Sequence, residues 1–175
     1  MKRLSSIMLF IFLVFTFLYS IEISKIDINP QINNQLYISF YLEDNFPNEL
    51  FQSIQSGIET VLTFKIKIVK KRKFWFDKKI IDKIITAKIN YDPITKQYKL
   101  VKMINETVLS TIETDSDEEM EKWLREFINI NVCSMDKFIS GSKYSIHIIG
   151  EILPKYLFKI IPRNHKITFK KEFEL

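Results

Sequence analysis

Thr60-Val61-Leu62-Thr63-Phe64-Lys65-Ile66-Lys67-Ile68 is the stretch that decides the fold class. Phe64, Ile66 and Ile68 fall on one face, and Lys65 and Lys67 on the other. Such alternation belongs to a β-strand with one buried side. The strand is expected to run on through Lys70-Lys71-Arg72-Lys73 into Phe74-Trp75-Phe76, with Asp77-Lys78-Lys79 as a turn. Ile85, Ala87, Ile89 and Tyr91 alternate again as the return strand. In Tyr91-Asp92-Pro93-Ile94-Thr95 an Asp side chain able to bond the backbone ahead of it precedes a Pro that pre-sets φ, which predicts a tight turn. Tyr98 to Ile104 forms the next strand, which Thr107 to Ile112 is expected to extend. The middle third therefore reads as a meander of long antiparallel strands.

The flanks add strands and two helices. Leu36, Ile38, Phe40 and Leu42 alternate with Tyr37, Ser39 and Tyr41, and Ile26 and Ile28 suggest a shorter strand before them, joined through Asn29-Pro30 and Asn33-Asn34. Asp44-Asn45-Phe46-Pro47 supplies N-cap candidates, Leu50, Phe51, Ile54 and Ile58 recur at helical spacing, and Gly57 fits a helix C′ position. Ser116 with Glu119 is a capping box. The acidic turn Asp117-Glu118-Glu119 suits the helix dipole, and Met120, Trp123, Leu124, Phe127 and Ile128 make the expected buried stripe. Asn129 to Ser134 reads as a short strand or connector and Ser140-Gly141-Ser142 as a loop. Tyr144, Ile146 and Ile148 open a strand ending near Leu153-Pro154, and Ile167 to Phe173 forms the last. The fold class is α+β: a mainly antiparallel β-sheet with two α-helices, in a single domain over residues 21–175.

Ile7 to Tyr19 carries one polar side chain, Thr16, and no charge; Lys2 and Arg3 precede it and Glu22 is the first acid. A spanning helix needs about 17–25 apolar residues, whereas the apolar region of a secretory signal needs roughly 7–15. Residues 1–20 are expected to be a signal peptide cleaved after Ser20, or, because Leu18 is bulky where a small residue is preferred, an uncleaved membrane-anchor helix. Both cations precede the run, so an anchor would hold the domain outside. The expected location is exported: periplasmic, or anchored in the inner membrane facing outward. Formal net charge is +5, or +3 without Lys2 and Arg3, too mild to argue for nucleic acid. Cys133 is the single cysteine, so no intramolecular disulfide forms and it reads as a small buried hydrophobe.

Four segments in order resemble a bacterial family of short exported proteins, domain of unknown function 4390. They are Asn48-Glu49-Leu50 through Gly57 into Phe64; Lys71-Arg72-Lys73-Phe74-Trp75-Phe76-Asp77; Ile89-Asn90-Tyr91-Asp92-Pro93-Ile94-Thr95-Lys96-Gln97-Tyr98; and Tyr144 through Leu153-Pro154. The resemblance spans about residues 35–170. Lys96 stands where the family pattern has Arg, and Ile149-Gly150-Glu151-Ile152 lacks an expected Arg. The resemblance implies no enzyme class, cofactor or ligand.

No residue set predicts catalysis, a metal or a cofactor. His147 and His165 lie far apart without ligand-spaced neighbours. Ser140-Gly141-Ser142 lacks a strand-to-helix elbow, and Asp115 to Glu121 reads as a helix start, not a calcium loop. The best surface candidate is Lys70, Lys71, Arg72, Lys73, Trp75, Lys78 and Lys79. On an exported chain this group suits an anionic membrane surface or an envelope protein partner, not nucleic acid. A plainer reading makes it a lysine-protected edge strand. The expected function is a non-catalytic cell-envelope domain that binds a protein or the membrane face; the alternative is a carrier of a lipid or small apolar ligand in a cavity between sheet and helices. Oligomeric state stays open.

Overall fold

The computed structural model describes residues 22–154 and 165–174, apart from 44, 45 and 47. The expected signal or anchor helix, and Asp44, Asn45 and Pro47 of the first helix start, lie outside the described residues. The strands are β1 (Ile23–Ile32), β2 (Gln35–Leu42), β3 (Thr60–Lys70), β4 (Lys78–Asp92), β5 (Gln97–Ile104), β6 (Thr107–Thr114), β7 (Glu126–Ser134), β8 (Lys143–Pro154) and β9 (His165–Glu174). The helices are α1 (Asn48–Gln55) and α2 (Asp117–Arg125). Among the described residues none is long and apolar enough to cross a membrane.

The meander is real but forms only part of a six-stranded sheet, β6-β5-β4-β3-β8-β9; β1, β2 and β7 make a second sheet, and every pairing is antiparallel. The buried faces meet around three rings. Phe40 of β2 stacks on Phe127 of β7 at 4.5 Å, and Phe64 of β3 packs against both, at 5.2 and 4.7 Å. Leu62, Phe64, Ile66 and Ile68 of β3 are fully buried and face Ala87, Ile85 and Ile81 of β4 and Ile146 and Ile148 of β8. Each such side chain contributes roughly 1.5–3 kcal/mol relative to exposure.

Four expectations change. First, β3 stops at Lys70 and the chain leaves the ladder until Lys78, so Phe74-Trp75-Phe76 is not strand and Lys78-Lys79 is not a turn. Asp77 ties off the neck of this loop: its carboxylate accepts from Lys71 Nζ at 2.7 Å and from the Arg72 backbone N–H at 3.4 Å. Second, β3 lies between β4 and β8, so its lysines protect no edge. Third, Thr107–Thr114 does not extend β5. Asn105 and Glu106, with φ of 43° and 70°, form a two-residue turn that starts a new strand. Fourth, α2 ends at Arg125, so Phe127 and Ile128 belong to β7.

The Gly57 stop and the Ser116 cap hold, although Thr114 takes the bond to Ser116 N that a capping box gives to Glu119. Gly57, at φ 78°, donates to Ile54 O, and Ile58 N donates to Ser53 O, which is a Schellman stop for α1. Ser116 Oγ accepts from Glu119 N at 3.2 Å, while Thr114 Oγ1 accepts from Ser116 N and donates to the Glu119 carboxylate. Both helices sit at one end of the strands. The Asn33-Asn34 turn, residues 71–77 and residues 135–142 gather at the other, joined by Met135 N to Asn34 O and Lys71 N to Lys143 O.

Candidate functional site

The β3–β4 ladder closes on Lys70 opposite Lys78, and the seven residues between project past the end of the sheet. Phe74, Trp75 and Phe76 at its tip are 88%, 75% and 88% exposed. Three consecutive bare aromatics on a loop gain nothing for the fold, because they reach no core. Around them stand Lys70, Lys71, Arg72, Lys73, Lys78 and Lys79. Lys71 is matched by Asp77, and Lys79 by Asp82 at 3.1 Å. The Lys71 ammonium holds the Asp77 carboxyl below its usual range. Lys70, Arg72, Lys73 and Lys78 have no acidic partner among the described residues. The tip is thus an apolar point with a cationic collar.

A second feature opens between the free edges of the two sheets. Lys102 of β5 follows Tyr98 and Leu100 on the inward face and is buried. Its Nζ donates to Trp123 O at 2.7 Å and to Glu126 O, and lies 4.4 and 4.5 Å from the ring centroids of Trp123 and Phe127. Trp123 O is among the last carbonyls of α2, so Lys102 serves that helix as a C-terminal cation. Burial pushes its pKa down to about 8, with Glu126 opposing. Above it lies a cleft of about 320 Å³ lined by Leu109, Ser110, Ile112, Trp123, Ile128 and Ile130, among others.

The family model described as "Domain of unknown function (DUF4390)" matches residues 19–159. This chain belongs to the DUF4390 family. Neither a curated protein nor a solved structure matches it. In this DUF4390 domain the family-like segments meet in pairs. A Cβ on Gly57 would stand 3.3 Å from Pro93 Cγ, so the stop of α1 packs on the β4–β5 turn. Lys70, at the base of the basic-aromatic loop, pairs with Tyr144 of β8. Lys96 is exposed at φ 57° in the turn, and Gly150 faces Phe64 inside the core.

The DUF4390 domain brings all seven sequence-chosen residues to one end of β3 and β4: Lys70 closes β3, Lys71, Arg72, Lys73 and Trp75 lie in the loop, and Lys78 and Lys79 open β4. Phe74 and Phe76 do not stand out in the sequence, because a strand reading assigns alternate residues a buried side. Lys102 was also missed, although its place in the alternation Leu100, Lys102, Ile104 puts a cation on an apolar face. His147 stands on the outer face opposite Lys67 and Lys170, where partial burial lowers its pKa. Cys133 is buried and unpaired. Among the described residues no three His, Cys, Asp or Glu side chains converge as a metal site needs.

Proposed function

We propose that this protein acts outside the cytoplasm as a non-catalytic envelope domain that docks on an anionic membrane face through residues 70–79. The reading rests on one observation: Phe74, Trp75 and Phe76 are bare at the tip of a loop with a cationic collar. Aromatic rings suit the headgroup level of a bilayer, Trp above all. Each collar cation near an anionic surface contributes about 1 kcal/mol. Lys2, Arg3 and the apolar run Ile7 to Tyr19 support the exported location.

The test uses vesicles with and without phosphatidylglycerol, and the full chain beside Phe74→Ser/Trp75→Ser/Phe76→Ser. Anionic vesicles should bind the parent chain, with lipid bromination quenching Trp75. The triple substitution should weaken binding by about a hundredfold or more, since each aromatic forfeits roughly 1.5 kcal/mol of burial. Equal binding by parent and variant, or an unquenched Trp75, sinks the reading and leaves an envelope protein as the partner to seek. The carrier alternative has its own specific observation, the cleft over Lys102.

A further inference from the structure

Lys102 places a cation at the floor of a cleft with Leu109, Ile112, Ile128 and Ile130 in its walls, and that combination has a chemical complement. We infer that the cleft binds a single-chain amphipath with a free carboxylate, of the fatty-acid class, its carboxylate on Lys102 and its chain against Leu109, Ile112 and Ile128. Two of the three ammonium N–H groups are used by Trp123 O and Glu126 O. The third has no oxygen or nitrogen acceptor among the described residues, only the Trp123 and Phe127 rings beside it, and no acid forms an ion pair with Lys102 there. Trp123 Nε1, also in this wall, is buried and lacks an acceptor. Buried donors left this way favour occupation by an acceptor group.

The strands on either side are shaped to the cleft. A register shift in β6 between the partners of Lys102 and Met103 makes Leu109 an extra residue. A second shift, in β7 opposite Ser39, bulges Ile128 and Asn129, the latter at φ 52° with its N–H on Ser39 Oγ. Bulges re-aim side chains, and here the re-aimed Leu109 and Ile128 both line the cleft. Leu109, Ile112 and Ile128 are each close to half exposed. Neither β6 nor β7 contains Lys or Pro, whereas β9, at the far edge of the large sheet, contains Lys166, Lys170 and Lys171. An unguarded apolar edge is a hazard unless something covers it. At about 320 Å³ the cleft lies near the lower end of ligand pockets, room for one chain and not two.

The chain has two tryptophans, Trp75 and Trp123, so Trp75→Phe makes Trp123 the sole indole reporter. This variant of the full chain is titrated with dodecanoate and with dodecanol, without vesicles. Dodecanoate should change Trp123 emission saturably, and dodecanol should bind about tenfold or more weakly, the loss expected when a buried charge goes unpaired. Lys102→Met should abolish the difference. Because that change also frees two carbonyls, Leu109→Glu in the cleft wall is the second variant; it should weaken both ligands, and dodecanoate about tenfold more than dodecanol, because only the carboxylate is repelled. Equal affinity of the two ligands for the Trp75→Phe chain, absence of saturable change, or unaltered dodecanoate binding in Leu109→Glu overturns the proposal. With no lipid surface present, the outcome is independent of membrane docking.

Discussion

Gly150 carries no side chain because Phe64 already occupies the space. A Cβ there would lie 2.8 Å from Phe64 Cε1 and 3.1 Å from Ile167 Cβ. The Phe64 ring cannot swing aside freely, since Phe40 and Phe127 hold it from two directions. Gly150→Ala should therefore destabilise the domain by about 1–3 kcal/mol through overpacking. In urea the midpoint should fall with the slope unchanged; an unmoved midpoint would show that the aromatic cluster yields. At this scale the sequence tells only half. Alternation places Phe64 inward, but which residue faces it depends on the β3–β8 register, 86 positions away in the chain, and no local pattern encodes that. Lys102 is similar: its inward parity is legible, while the helix end that accepts its protons comes from a distant segment.

Elements were most legible where backbone chemistry is local. Ser116, Gly57 and Asp92 act as read, the last accepting from Ile94 N at 2.9 Å. Ser116→Ala should cost about 1 kcal/mol by leaving a helix N–H unmet, seen as a lower thermal midpoint; an unchanged midpoint would mean that Thr114 and Glu119 hold the helix start without it. Element ends were harder to read. Phe127 lies four residues after Trp123, so helical spacing and inward strand parity assign it the same side, and the pattern cannot mark the switch at Glu126. Likewise Lys70 to Phe76 mixes bulky and basic residues that fit a strand as well as a loop. The Asp77 contacts that close the neck are what end the ladder.

At the scale of the whole molecule, two buried groups shape stability against pH in opposite directions. The Lys102 amine loses its proton near pH 8 when folded and near 10.5 when unfolded. Between those values the unfolded chain binds the extra proton, so stability rises with pH across that window, by at most about 3 kcal/mol. Burial, aided by Asp117 at 2.5 Å, keeps the Tyr98 phenol protonated well beyond its usual 10.0. Above that pH the unfolded chain releases a proton that the fold retains, and stability falls. Denaturation across this range should show a rising limb above pH 8 and a falling one above 10; Lys102→Met should remove only the first, and a flat parent profile from 8 to 10 would contradict the assignment. The division into two sheets was not legible, because β2 and β3 carry the same kind of alternation and differ only in partners. The polarity of the strands also bears on attachment. Ile23 pairs with Leu42 at the helix-bearing end, while the aromatic tip lies beyond Lys70 at the other. Counting strand rise on either side of the Phe40–Phe64 contact separates the two by about 30 Å. Glu22, the first described residue, thus stands at the pole opposite Phe74-Trp75-Phe76. With a retained leader and a docked tip both embedded, the body must either recline along one bilayer or stand as a strut between two.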